Sequence, residues 1–189
     1  MTGDGAITIY TIGHSTRPLP ALAALLAGHG VSQLLDVRTV PKSRHNPQYN
    51  SDALARDLPA AGIAYRPFPA LGGLRHPRPD SVNLGWRNAS FRGFADYMQT
   101  PAFAAALAEL IALAAGTPTA VMCAEAVPWR CHRSLIADAL AARGHQVRHI
   151  IGAGEARPHA MTPFARVRGA TVTYPAAEPD LFAAPPEAG

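Results

Sequence analysis

Short apolar runs alternate along the chain with segments whose apolar residues recur at helical spacing. Ala6–Ile12 is rich in β-branched residues, reads as a strand and stops at Gly13. Pro18 then suits a helix start, and apolar positions from Leu19 to Ala27 continue that helix up to glycines at 28 and 30. Val31–Val37 is a second strand, Ser51-Asp52 caps a short helix reaching Leu58, and Ile63–Arg66 is a third, short strand. Phe91–Gln99 and Pro101–Ala115 carry two further helices. Thr119–Ala124 is a fourth strand, Cys131–Arg143 a helix stopped by Gly144, and Gln146–Ile151 a fifth strand. Strands separated by helices predict an α/β fold: one Rossmann-like domain, a mainly parallel sheet with helices on both faces.

Two stretches break the rhythm. Residues 67–90 crowd proline, glycine and basic residues into an insertion longer than an ordinary connection, and such insertions are often functional. From about residue 175 the chain is rich in Ala, Pro and Glu, which predicts a disordered tail behind a domain spanning 1–174. Inside that tail, Glu178-Pro-Asp-Leu-Phe182 carries an abrupt apolar pair. Asp180, Leu181 and Phe182 agree with the Gln-Leu-Asp/Ser-Leu-Phe peptide that docks on the bacterial DNA sliding clamp, whereas Glu178 and Pro179 depart from it. The expectation is a tail that docks on a partner.

Composition narrows the class. Hydrophobic residues make up 48% of the chain, yet no apolar run approaches about 18 residues, so no membrane span is expected. The opening Met-Thr-Gly-Asp-Gly has no secretory character, and two cysteines point to free thiols in a reducing cytoplasm. The net charge of +4 comes from sixteen arginines and a single lysine, Lys42. Arg38, Arg44, Arg66, Arg75, Arg78, Arg87 and Arg92 fall in one loop-rich segment. Guanidinium forks suit phosphate and carboxylate, so an anionic small molecule or a nucleic acid is the expected partner.

The chemistry concentrates where strands end. The first strand delivers Gly13-His14-Ser15, the second Asp36-Val37-Arg38 followed by Arg44, and the fourth Cys123-Ala124-Glu125. In a parallel sheet these ends share one rim, where ligands bind. Glu125 is the candidate general acid/base, beside a buried strand and nearby arginines, with His14 and Asp36 as orienting or catalytic partners, Asp36 being placed either to orient His14 or to pair with an arginine. Cys131 at a helix start, flanked by Arg130 and Arg133, is a candidate nucleophile or part of an anion-binding turn with His132. Leu71-Gly-Gly-Leu-Arg75 is a glycine-bearing turn that can close over an anion. Adjacent Cys131 and His132 are expected to diverge from a helix, and Cys123 stands eight positions earlier, so no metal site is expected. The residues name no cofactor.

These pieces in order resemble a bacterial and archaeal family, the domain of unknown function 488. They are Thr11-Ile-Gly-His-Ser15, Asp36-Val-Arg38 with Ser43-Arg44, Leu71-Gly-Gly-Leu-Arg75, Phe94-Ala-Asp-Tyr-Met98, Met122-Cys-Ala-Glu125, Cys131-His-Arg133 and His149-Ile150. The resemblance runs from about Ile9 to Tyr174. It implies an α/β, Rossmann-like domain and supplies no activity.

Three functions stay open on the residues. One is an enzyme acting on a nucleotide or nucleic acid, in DNA repair or modification, with Arg38, Arg44, Arg75 and Arg133 as anion clamps and Glu125 as acid/base. The second is thiol chemistry at Cys131, redox or sulfur or acyl transfer. The third is a non-catalytic module that binds nucleic acid or a partner protein.

Overall fold

The computed structural model describes residues 5–177. Five parallel strands form the body of the sheet: β1 (Thr8–Gly13), β2 (Gln33–Asp36), β3 (Ala64–Pro67), β4 (Thr119–Cys123) and β5 (Gln146–Ile150). A two-residue strand, β6 (Arg157–Pro158), closes one edge antiparallel to β5. The order is β3-β2-β4-β1-β5-β6, so β4 inserts between the two strands laid down first. The chain is thus a single α/β domain.

The helices are α1 (Leu19–Gly28), α2 (Ser51–Asp57), α3 (Ala89–Tyr97), α4 (Pro101–Ala114) and α5 (Arg133–Ala141). Alternation along β4 shows how they sandwich the sheet. Ala120 and Met122 face a core built with Leu22, Leu26 and Leu54 of α1 and α2. Val121 and Cys123 face the other core, with Phe94, Leu107, Leu110 and Leu135 of α3, α4 and α5. All five β4 residues are buried, as a central parallel strand covered on both faces requires. The centre of the sheet is therefore a wall, and β4 can meet a ligand only at its ends. Among the described residues no single helix is long and apolar enough to cross a membrane.

Several boundaries move. The second strand is four residues long, although Val31 and Val37 on either side of it are buried. The fifth helix begins at Arg133. Cys131 is extended (φ −141°, ψ 149°) and precedes the first helical turn. A hairpin of β7 (Arg166–Arg168) and β8 (Thr171–Thr173) follows β6. Three-residue strands carry too little periodicity to be read from sequence. The 67–90 insertion is an ordered strap. Asp96 of α3 gathers it by accepting from Ser81 Oγ, Asn83 Nδ2 and the Arg78 amide. The Asp180-Leu181-Phe182 docking expectation lies outside the described residues.

Candidate active site

The sheet order makes β2, β4 and β1 neighbours, and all three are parallel. Their C-terminal ends, with the turn before α5, surround a cleft of about 800 Å³. His14, Ser15, Arg38, Cys123, Glu125, Arg130, Cys131 and His132 all line it. Asp36 and Arg133 lie behind its wall.

Gly13 sets the floor. It pairs with Cys123 in the β1–β4 register, and a side chain there would overlap the Glu125 carbonyl oxygen. Past the strand ends the two chains stay paired, the His14 amide donating to the Cys123 carbonyl at 3.0 Å and the Ser15 amide to that of Ala124 at 2.8 Å. Ser15 takes a left-handed φ of 50°, the only non-glycine to do so among the described residues. Such backbone strain clusters at functional sites.

Cys123 from β4 and Cys131 from the following turn meet on this floor with His132. One donor atom from each lies within 4.8 Å of the others. His132 Nδ1 is 3.6 Å from the Cys131 sulfur and 4.0 Å from that of Cys123. The expectation that Cys131 and His132 diverge fails because Cys131 is extended while His132 already has helical angles (φ −58°, ψ −11°). Both thiols are free and buried. They form one acid–base unit. A hydrogen bond from Cys123 lowers the pKa of Cys131, burial opposes this, and His132 and Arg133 lower it further. The same hydrogen bond, with burial, raises the Cys123 thiol. Within the pair Cys131 is pushed down and Cys123 up, so Cys131 is the more readily ionised thiol.

Three of the arginines expected to clamp an anion, Arg38, Arg75 and Arg133, are engaged within the fold. Arg38 binds Asp36 two-pronged, Nε to Oδ1 at 2.8 Å and Nη2 to Oδ2 at 2.5 Å. It also donates to the Tyr49 carbonyl at 2.7 Å and, through Nη1, to His14 Nε2 at 3.2 Å. Tyr65 donates to Asp36 at 2.7 Å. Asp36 is thus 1% exposed, saturated and out of reach of a substrate, and it orients Arg38 rather than His14. His14 stacks on Tyr49 and donates Nδ1–H to the Ser15 carbonyl, leaving Nε2 as an acceptor. Burial is the main reason that its pKa falls to about 4. Arg75 lies 3.7 Å over the Tyr97 ring and donates to the Gly72 and Ala70 carbonyls, which fixes the glycine turn. Glu125 is exposed and pairs with neither Arg38 nor Arg133. The free cations at the cleft are Lys42 and Arg130, both exposed, among the described residues. Arg44 is exposed and does not line it.

Arg133 is 1% exposed and has no carboxylate partner among the described residues. It donates to the Glu125 carbonyl and, at 3.4 Å, to Thr11 Oγ1. From Thr11 a chain of single hydrogen bonds runs away from the cleft. Thr11 Oγ1 meets His149 Nδ1 at 2.7 Å, His149 Nε2 meets His159 Nδ1 at 3.0 Å, and His159 Nε2 meets Asp138 Oδ1 at 2.8 Å. With both imidazoles neutral, one set of proton positions satisfies it. Asp138 must accept, so each imidazole carries its proton on Nε2 and Thr11 donates to His149. The chain of contacts thus connects Arg133 to Asp138 through two imidazoles. The sequence gives no direct sign of this network, because β1–β5 register places Thr11 beside His149 and the short β6 leads on to His159.

Residues 19–140 match the family described as Domain of unknown function DUF488. The chain belongs to the DUF488 family. Within this DUF488 chain the match takes in Asp36, Arg38, Cys123, Glu125 and the Cys131-His-Arg133 turn, and leaves Thr11–Ser15 and His149 outside the matched segment. No curated protein and no solved structure matches the chain.

Proposed function

We propose that the cleft is the active site of a thiol enzyme, with Cys131 as nucleophile and Cys123 as resolving partner, acting on a small disulfide that bears an anionic group. The reading rests on the two sulfurs and an imidazole nitrogen lying within 4.8 Å of one another on the floor of an accessible cleft. The Cys131 thiolate attacks one substrate sulfur and expels the other half as a thiolate, which takes the Cys123 proton. Cys123 then attacks the Cys131 sulfur, closing a protein disulfide and releasing the second half as a thiolate. The dithiol loses two electrons and the substrate disulfide gains them; an external thiol resets the enzyme. Lys42 and Arg130 supply the anion's partners, and the exposed Val40 and Leu74 give an apolar rim.

Dithiobis(nitrobenzoate), an anionic disulfide, tests this. The native chain is expected to release both aromatic thiolates and end as an intramolecular disulfide, two hydrogens lighter by mass. Cys123→Ser is expected to stop at the mixed disulfide on residue 131, and Cys131→Ser to react slowly. A Cys131 no faster than an ordinary thiol at neutral pH refutes the proposal.

The donor spacing favours a second reading, a metal centre. Tetrahedral zinc with bonds of about 2.3 Å to sulfur and about 2.0–2.1 Å to nitrogen sets sulfur–nitrogen edges near 3.6 Å, against 3.6 and 4.0 Å here. Cys123, Cys131 and His132 would supply three ligands, and the fourth position would open onto the cleft. If purified protein holds stoichiometric zinc and the thiols react only after chelation, the metal reading replaces the dithiol one.

A further inference from the structure

The chain has two tryptophans, and neither lines the thiol cleft. Trp86 and Trp129 both line a second cavity, of about 450 Å³. A single turn separates the two: Pro128 and Trp129 face the second cavity, while Arg130 faces the cleft. A volume of this size suits a small ligand.

The lining is specific about what it accepts. Phe164 meets Trp86 edge-on with centroids 4.9 Å apart, giving an aromatic wall. Trp129 stands at 60% exposure, so the largest apolar side chain of the turn is left uncovered beside a hollow. The imidazoles of His149 and His159 also line the cavity, but their four nitrogens are all committed to the chain running from Thr11 to Asp138. They present ring surface and no free donor. Arg157 differs. It pairs with His149 across the antiparallel β5–β6 ladder, which puts both side chains on one face of the sheet. Its guanidinium is exposed and has no hydrogen-bond or ion-pair partner among the described residues. An aromatic slot with one unpaired cation at its edge selects a flat ring that carries negative charge.

We propose that this second cavity binds a planar aromatic anion, the ring against Trp129 and the carboxylate or phosphate on Arg157. The site is independent of the thiol reading, since it uses neither cysteine.

Because both tryptophans line this cavity, tryptophan fluorescence reports on it. The full chain is titrated with benzoate, with 5′-AMP and with benzyl alcohol, a neutral ring of similar size. The expected result is saturable quenching by at least one anion, about tenfold tighter than by the alcohol. Benzoate binding tighter assigns a carboxylate ligand, and 5′-AMP binding tighter assigns a nucleotide. Arg157→Ala is expected to abolish the preference for the anion and Trp129→Ala to weaken binding of both anions. Prior alkylation of Cys131 is expected to leave the titration unchanged, so this site and the dithiol reading fail separately. Absence of saturable quenching by both anions, or an Arg157→Ala chain that keeps the anion preference, overturns the proposal.

Discussion

Gly13 has the least room of the described glycines. Any Cβ there would run into the Glu125 carbonyl, the same oxygen that accepts from the buried Arg133. Gly13→Ala is therefore expected to cost about 3 kcal/mol or more in denaturant unfolding, through overpacking and a displaced acceptor for a buried charge. A loss below about 1 kcal/mol would show that the β1 and β4 ends are not clamped as described. The second expectation at this scale concerns the Cys131 thiolate. An ordinary thiol with a pKa of about 8.5 loses roughly 75-fold in thiolate between pH 8 and pH 6. With its pKa lowered by Cys123, Cys131 should lose less than about threefold in alkylation rate over that range. Cys123→Ala removes the neighbouring thiol proton and should restore a steep fall. A native profile as steep as a free thiol's would remove the shared-proton account. Part of this was legible in the chain. Asp36 and Arg38 stand two apart at a strand end and so share a face, which is the geometry that lets them pair. Arg38, expected as an anion clamp, is held by that carboxylate, the arginine partnership open to Asp36 in the sequence.

Between elements, what matters is register. The strand ends bearing His14, Arg38 and Cys123 could be found from apolar runs, because a parallel sheet puts such ends on one rim. The network behind them could not. Asp138 sits in the middle of α5, where a sequence shows one acid in an apolar helix and no partner. Its partners come from separate segments: His159 just past β6, Tyr174 past β8, and the Thr162 amide. These contacts exist only once β6 and the β7–β8 strands are placed, and strands so short leave no periodic trace. Asp138→Asn tests the network. It removes a buried charge and disturbs three acceptor contacts, so an unfolding cost of about 3 kcal/mol is expected. Nitrogen NMR of the native chain should show both His149 and His159 as Nε2–H tautomers near neutral pH, with His159 losing that fixed tautomer in Asp138→Asn. Unchanged tautomers in the variant would mean that Asp138 does not orient the imidazoles.

For the whole molecule, the buried imidazoles set how stability follows pH. His14 and His149 both feel the Arg133 charge, and each has its pKa lowered to about 4, by burial foremost, against an ordinary 6.5. Lowered pKa values mean that the unfolded chain binds more protons than the folded one between pH 6.5 and pH 4. Stability is then fully present above pH 6.5 and falls as pH drops through that window. Protonation would also break function-bearing contacts: His14 could no longer accept from Arg38, nor His149 from Thr11. Thermal unfolding measured from pH 7 to pH 4 should show the melting temperature declining below about pH 6.5. A chain carrying both His14→Gln and His149→Gln will start lower at pH 7, since both side chains are buried and hydrogen-bonded, but its decline should be shallower. The slope carries the information, because a purely structural loss moves the curve without flattening it. A double variant with the native slope would show that these two imidazoles titrate normally in the fold. The Arg38 and Arg133 clusters flanking the thiols would then not depend on neutral histidines.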